Sequence, residues 1–210
     1  MALIAKEGFP VIAIPGVLTI LAFFFLGTPA GIAGAVVTLG TALFFRDPER
    51  SGDPREGEIL CPADGRVVAV AEGPAPSGLE DGGSRISVFM SVLNVHVNRI
   101  PLDGKVLGVR HVPGGFSMAQ LDDARINNER TEILIQDPSG RRFLMVQVAG
   151  MIARRIVCRL KEGDEVRAGE RFGIICFGSR VDLYMPPGFR SLVGVGDRVK
   201  AGKTVLAGKI

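Results

Sequence analysis

A glycine followed by a serine can rearrange in a way that few dipeptides can, and this chain carries such a pair in Ile175-Cys176-Phe177-Gly178-Ser179-Arg180. The serine hydroxyl can attack the carbonyl carbon of Gly178, because glycine has no side chain to block the approach and tolerates the strained backbone of an N-to-O acyl shift. The peptide becomes an ester. Elimination of the ester oxygen from the serine β-carbon leaves dehydroalanine, which hydrolyses to a pyruvoyl group on a new N-terminus. That ketone can form a Schiff base with an amine and draw electrons from its α-carbon, the electron-sink role otherwise played by an added cofactor. The chain has only two histidines, His96 and His111, so a proton relay near neutral pH has few candidates. Cys61, Cys158 and Cys176 are odd in number and lack Cys-x-x-Cys or Cys/His spacing, so neither a metal site nor a disulfide framework is expected.

The elements that must hold Gly178-Ser179 are announced by a repeat. Gly163-Asp164-Glu165-Val166-Arg167-Ala168-Gly169 returns as Gly196-Asp197-Arg198-Val199-Lys200-Ala201-Gly202, one copy on each side of the pair. Gly-Asp turns with alternating valines predict two β-hairpins related by pseudo-symmetry. Beyond Glu56, short β-type runs alternate with Gly/Pro punctuation at residues 66–70, 85–92, 105–111, 132–136, 143–149 and 152–160, with a short helix predicted over 118–125. The body is read as mainly β, a compact sandwich or barrel. The repeated phrase resembles the half-motif of biotinyl and lipoyl carrier domains, which implies a barrel-sandwich core. In a carrier the tip of the turn holds the modified lysine; here it holds Ser179.

The first fifty residues are different. From Phe9 to Phe45 no charged residue occurs, and Gly27-Thr28-Pro29 splits the stretch, with Pro15-Gly16 interrupting its first half. Each half falls short of the ~20 residues of a straight span. A hydrophobic helical hairpin is predicted over residues 1–50, with Lys6, Arg46 and Arg50 facing one water phase, the cytosolic one by the positive-inside tendency. A secretory signal peptide and two ordinary spans are the rival readings. The 210-residue chain is 47% hydrophobic with a net charge of +3, and its basic residues are spread thinly without interleaved aromatics. That pattern argues against nucleic acid and for an anionic membrane surface as partner.

Several phrases, in order along most of the chain, resemble the phosphatidylserine decarboxylase proenzymes. They are Phe45-Arg46-Asp47-Pro48, Pro62-Ala63-Asp64-Gly65, the segment Asn94 to Pro101 around His96, His111-Val112-Pro113-Gly114-Gly115, Asn127-Asn128-Glu129-Arg130, and Gly178-Ser179. The resemblance implies self-cleavage between Gly178 and Ser179 into a β chain, residues 1–178, and an α chain, residues 179–210, headed by the pyruvoyl group. It further implies decarboxylation of phosphatidylserine to phosphatidylethanolamine at a cell membrane, by an α/β heterodimer that can assemble further.

It assigns Asp64, a turn aspartate on its own signal, to the group driving cleavage, where it would orient a histidine as the acid of a triad does. Longer family members carry two histidines ahead of the proline matched by Pro101; the first falls on His96 and the second on Arg99. Either His96 serves both cleavage and decarboxylation or His111 supplies one of the two, and His96 is preferred for both. Gly114 and Gly115 could bring backbone amides to a phosphate, and Arg130 could pair with phosphate or carboxylate. The alternatives are plain turns and a solvated loop. Two other functions stay open: a membrane-tethered carrier or adaptor, which requires the missing lysine, and a pyruvoyl decarboxylase for an ether-linked seryl lipid.

Overall fold

The computed structural model describes residues 3–50, 52–72, 79, 83–119, 127–151, 155–176 and 178–210. The chain divides into two compact units, residues 1–49 and 50–210.

The first unit is a helical hairpin of α1 (Gly8–Leu26) and α2 (Thr28–Phe44), turned at Gly27 with φ 84°. Small residues let the helices close up: a Cβ at Gly31 would sit 2.3 Å from the Phe23 ring, and one at Gly34 would sit 2.7 Å from Thr19 Oγ1. Thr19 and Thr38 meet across the interface with their hydroxyl oxygens 3.0 Å apart. Contrary to the sequence expectation, Pro15 does not interrupt α1. The Thr19 hydroxyl back-bonds to the Pro15 carbonyl one turn earlier at 2.7 Å. At 19 residues α1 is long and apolar enough to cross a membrane, whereas α2 is shorter. Ile14, Leu18, Phe24 and Val36 point outward. The ends of the hairpin are tied together, Ile4 bridging Arg46 and Ala5 N–H donating to Phe45 O at 2.8 Å, so Lys6 and Arg46 emerge at one end; Arg50, expected to face water with them, instead turns its side chain into an ion pair with Asp64 and is 8% exposed.

The second unit is mainly β, as the alternation predicted. Its strands are β1 (Glu58–Leu60), β2 (Gly65–Glu72), β3 (Ser84–Met90), β4 (Val97–Arg99), β5 (Gly104–Val112), β6 (Arg130–Gln136) and β7 (Arg142–Val148), followed by β8 (Ile156–Cys158), β9 (Glu165–Val166), β10 (Arg171–Ile175), β11 (Ser179–Met185), β12 (Phe189–Ser191), β13 (Arg198–Val199) and β14 (Val205–Lys209). Part of the 152–160 run and most of the helix expected over 118–125 lie outside the described residues. A curled eight-stranded sheet runs β13-β2-β3-β11-β7-β6-β5-β9, and two three-stranded sheets run β1-β14-β12 and β4-β10-β8. The core lies on the inner face of the large sheet, from Ile86, Val88 and Met90 through Val181 and Leu183 to Phe143 and Met145.

The repeated phrases do not form hairpins of their own. β9 and β13 pair with β5 and β2 at the edges of the large sheet. The chain then turns at Gly169 and Gly202, with φ of 83° and 64°, into β10 and β14 of the smaller sheets. The left-handed glycine swings the chain from one sheet to the next.

These phrases belong to a larger duplication. The large sheet reads the same from both edges if β13, β2, β3 and β11 are matched with β9, β5, β6 and β7, and the small sheets match likewise. Hydrogen bonds repeat as well. Val67 N–H donates to Asp197 O and Val106 N–H to Asp164 O; Gly202 N–H donates to Cys61 O and Gly169 N–H to Ile100 O. Bulges recur at Val67/Ala69 and Val106/Gly108, and at Ile59/Leu60 and Arg171/Gly173. One half is continuous, β4 to β10. The other is β1 to β3 plus β11 to β14. In the continuous half, β6 and β7 are joined by a turn in which Asp137 accepts the N–H groups of Ser139 and Arg141. In the split half, the corresponding hairpin is β3 and β11, and the whole continuous half is spliced into its turn between Met90 and Ser179, which pair directly.

Candidate active site

The two chain crossings between the halves carry the chemistry-bearing residues. The outgoing crossing, from β3 to β4, contains His96; the returning one, from β10 to β11, ends at Gly178, and Ser179 opens β11. They lie together, since Ile175 N–H donates to His96 O at 3.4 Å. Gly178 holds φ 67°, and a Cβ there would meet nothing within 4 Å, so the glycine answers to backbone conformation rather than to space. Ser179 is fully buried and its Oγ has no hydrogen-bond partner among the described residues. A buried hydroxyl left unsatisfied is costly and contributes nothing to stability.

Most of the remaining predicted residues gather at the same end of the large sheet. Arg180 pairs with Val148 on β7 and Phe89 on β3; Val148 pairs with Arg130, and Arg130 with Val112 beside His111. On the other flank Phe89 pairs with Arg66, two residues past Asp64. The glycine loop is fastened there by Asn128, which is fully buried. Its Nδ2 donates to Ser117 O and Ala149 O, both at 2.8 Å, and its Oδ1 accepts Ser117 N–H at 2.9 Å. Gly114 is required by close approach: a Cβ there would lie 2.6 Å from Asn127 O. Gly115 N–H donates to that same oxygen at 2.7 Å. Asn128, one residue of the Asn127-Asn128-Glu129-Arg130 phrase, is the fastener.

The side chains do not form a finished relay. Asp64 is buried and receives Arg50 in a two-pronged ion pair, Nη2 to Oδ2 at 2.8 Å and Nη1 to Oδ1, and Oδ1 also accepts Ala201 N–H at 2.8 Å. His96 is fully buried, with Nδ1 2.9 Å from Asn94 O and Nε2 also out of solvent. So among the described residues Asp64 is joined to Arg50 and not to His96, whose Nδ1 turns to its own loop. Arg99, where the second family histidine falls, is buried with its Nη1 donating to Gly169 O at 2.9 Å; it braces the repeat turns. His111 is exposed, its Nε2 3.7 Å from Glu129 Oε1. Arg130 is committed to Glu132 Oε1 at 2.9 Å. Burial, and to a lesser degree Asp64, pushes the Cys61 thiol up to about 12, against its hydrogen bond to Ala63 O, so this cysteine packs and does not attack. No group of His, Cys, Asp and Glu among the described residues could hold a metal.

A self-processing β-rich enzyme is the class that this arrangement fits, and comparison with known proteins specifies it. The phosphatidylserine decarboxylase family model matches residues 38–207. Relatives named phosphatidylserine decarboxylase proenzyme include that of Syntrophus aciditrophicus, 46% identical and covering 97% of this chain and 96% of its own length. The Paramagnetospirillum magneticum protein is 46% identical over 97% and 86%, and the Beijerinckia indica protein 47% over 97% and 88%. The chain belongs to the phosphatidylserine decarboxylase family, which are carboxy-lyases. The carrier or adaptor alternative falls with that membership.

Proposed function

We propose that this chain cuts itself between Gly178 and Ser179 and, once processed, decarboxylates phosphatidylserine to phosphatidylethanolamine at a membrane. The observation that carries the reading is the convergence of both crossings, with His96 on one and, at the end of the other, a Ser179 hydroxyl that has no partner among the described residues. In the acyl shift the bond from Ser179 Oγ to the Gly178 carbonyl carbon forms, the peptide C–N bond breaks, and the hydroxyl proton passes to the nitrogen. His96, the titratable side chain on the facing crossing, carries that proton. Loss of the α-proton of residue 179 then expels the Gly178 carboxylate, and hydrolysis releases ammonia. Asp64, which pairs with Arg50 rather than with His96 in the uncut chain, is assigned to cleavage by its match to the family phrase.

The products remain assembled as an α/β heterodimer because β11 lies between β3 and β7 and β14 pairs with β1. The pyruvoyl ketone supplies the electron sink for loss of carbon dioxide. His96 returns the proton to the α-carbon, while the Gly114-Gly115 loop, Arg130 and His111 face the phosphate and carboxylate. The apolar α1 serves a substrate whose acyl chains stay in the bilayer, and Lys6 and Arg46 at one end of the hairpin fit a cytosolic body. Turnover tests the reading: wild type should release carbon dioxide from detergent-dispersed phosphatidylserine and Ser179→Ala none. Equal release from free serine would contradict the lipid substrate.

A further inference from the structure

Matching the halves residue by residue exposes a polar pair where the duplication has apolar core. Asn98 and Gln147 are both fully buried, and Gln147 Nε2 donates to Asn98 Oδ1 at 2.8 Å. By strand register their counterparts are Ile59 and Met185, both in the main apolar cluster. A buried amide pair in place of an apolar one brings desolvation cost without stability to show for it. This one is incompletely satisfied. Gln147 Oε1 is buried without a partner among the described residues, and Asn98 Nδ2 finds only the Met90 sulfur at 3.6 Å.

The pair brackets Ser179. Met90 is directly opposite Ser179 on one neighbouring strand. Gln147 is opposite Val181 on the other, on the same inner face and diagonal to Ser179, about 7–8 Å away between backbones. Gly173 makes room beneath, since a Cβ there would lie 3.3 Å from Gln147 Nε2. The bracketed hydroxyl has no partner among the described residues. We propose that Gln147 is a positioning residue for self-cleavage: a turn of the two side chains, whose Oε1 and Oγ have no hydrogen-bond partner among the described residues, lets Oε1 accept the Ser179 hydroxyl hydrogen and hold Oγ toward the Gly178 carbonyl carbon, that hydrogen leaving Oε1 for the base as attack begins, with Asn98 fixing the amide. Gln147 takes no proton and makes no bond; the proton leaves through the base as above. The proposal rests on the self-cleavage reading.

The test transplants the other half's residues, Asn98→Ile with Gln147→Met. Replacing both partners by apolar groups should leave the thermal midpoint at or above wild type, while self-cleavage, followed by intact mass, slows about 10- to 100-fold, as loss of a supporting partner does. Hydroxylamine, which splits an ester, should not release the fragments from the variant, because the step lost precedes the ester. Wild-type cleavage rate in the folded double variant, or prompt release by hydroxylamine, overturns the proposal. If the double variant does not fold, Gln147→Met alone is read with the same two outcomes. An uncut wild-type chain would instead sink the self-cleavage reading itself.

Discussion

The two halves of the β unit share a scaffold and differ in what they do with it. Pro62-Ala63-Asp64-Gly65 and Pro101-Leu102-Asp103-Gly104 occupy matched turns, and each aspartate accepts one repeat-phrase amide through Oδ1, Asp64 from Ala201 at 2.8 Å and Asp103 from Ala168 at 2.7 Å. Asp64 is buried under Arg50, whereas exposed Asp103 faces an open cavity of about 620 Å³ lined with Asp137, Glu165 and Glu170. His96 corresponds to Gly57, and the match extends to backbone bonding, His96 O accepting from Ile175 and Gly57 O from Lys209. The halves share a common framework, and the polar departures from it are where the proposed chemistry is placed. A turn aspartate is a fold requirement in both halves, so only what is added in one half can be assigned to function.

The largest expected effect comes from His96. His96→Ala should stop self-cleavage or, if a cut is still made, stop turnover, read by intact mass and carbon dioxide release. Full activity in that variant would move the base to another residue. Next come the paired aspartates. Asp64→Asn should slow cleavage by orders of magnitude and cost about 3–5 kcal/mol in urea unfolding, because it leaves Arg50, whose side chain is 8% exposed, without its charge partner. Asp103→Asn should cost less than about 1 kcal/mol, because the asparagine Oδ1 still accepts the Ala168 N–H and only charge assistance is lost, and should cleave normally. Equal behaviour of the two would erase the distinction between the halves.

The left-handed glycines offer a subtler contrast. Gly178 and Gly140, the latter in the β6–β7 turn, have φ of 67° and 87°, with open space at both Cβ positions. Alanine at either should cost about 1–2 kcal/mol in unfolding, but only Gly178→Ala should also slow cleavage, by crowding the attacked carbonyl. The smallest effect concerns Glu132. Burial raises its pKa, but hydrogen bonds from Arg110 and Arg130 outweigh this and hold it below the ordinary 4.5. A depressed folded-state pKa stabilises above that value and is lost as pH falls through the folded one. Glu132→Gln should therefore unfold more easily near neutrality, the difference closing in acid. A constant difference across pH would show that packing rather than charge is responsible.

Much of this was legible in the sequence. The helical hairpin follows from an uncharged run split at Gly27, the β runs from alternation, and Ser179 from its place between two copies of one phrase. Half of the duplication was equally visible, since Pro-x-Asp-Gly recurs at residues 101–104, but with one apolar residue exchanged and the partner strands far off in sequence. Splicing one half into a turn of the other separates β3 from β11 by the whole continuous half, which periodicity cannot bridge. Asn98 and Gln147 read as ordinary strand polar residues until register shows that their counterparts are apolar. Arg50 reads as a charged stop after an apolar segment; only the fold brings it to Asp64.

The intact mass of the purified protein beside Ser179→Ala tests the central claim most directly. The account predicts that wild type yields two fragments parting between Gly178 and Ser179, the smaller lacking a free amine and reacting with a carbonyl reagent, while the variant stays whole. A single unbroken wild-type chain in folded, active protein would contradict it.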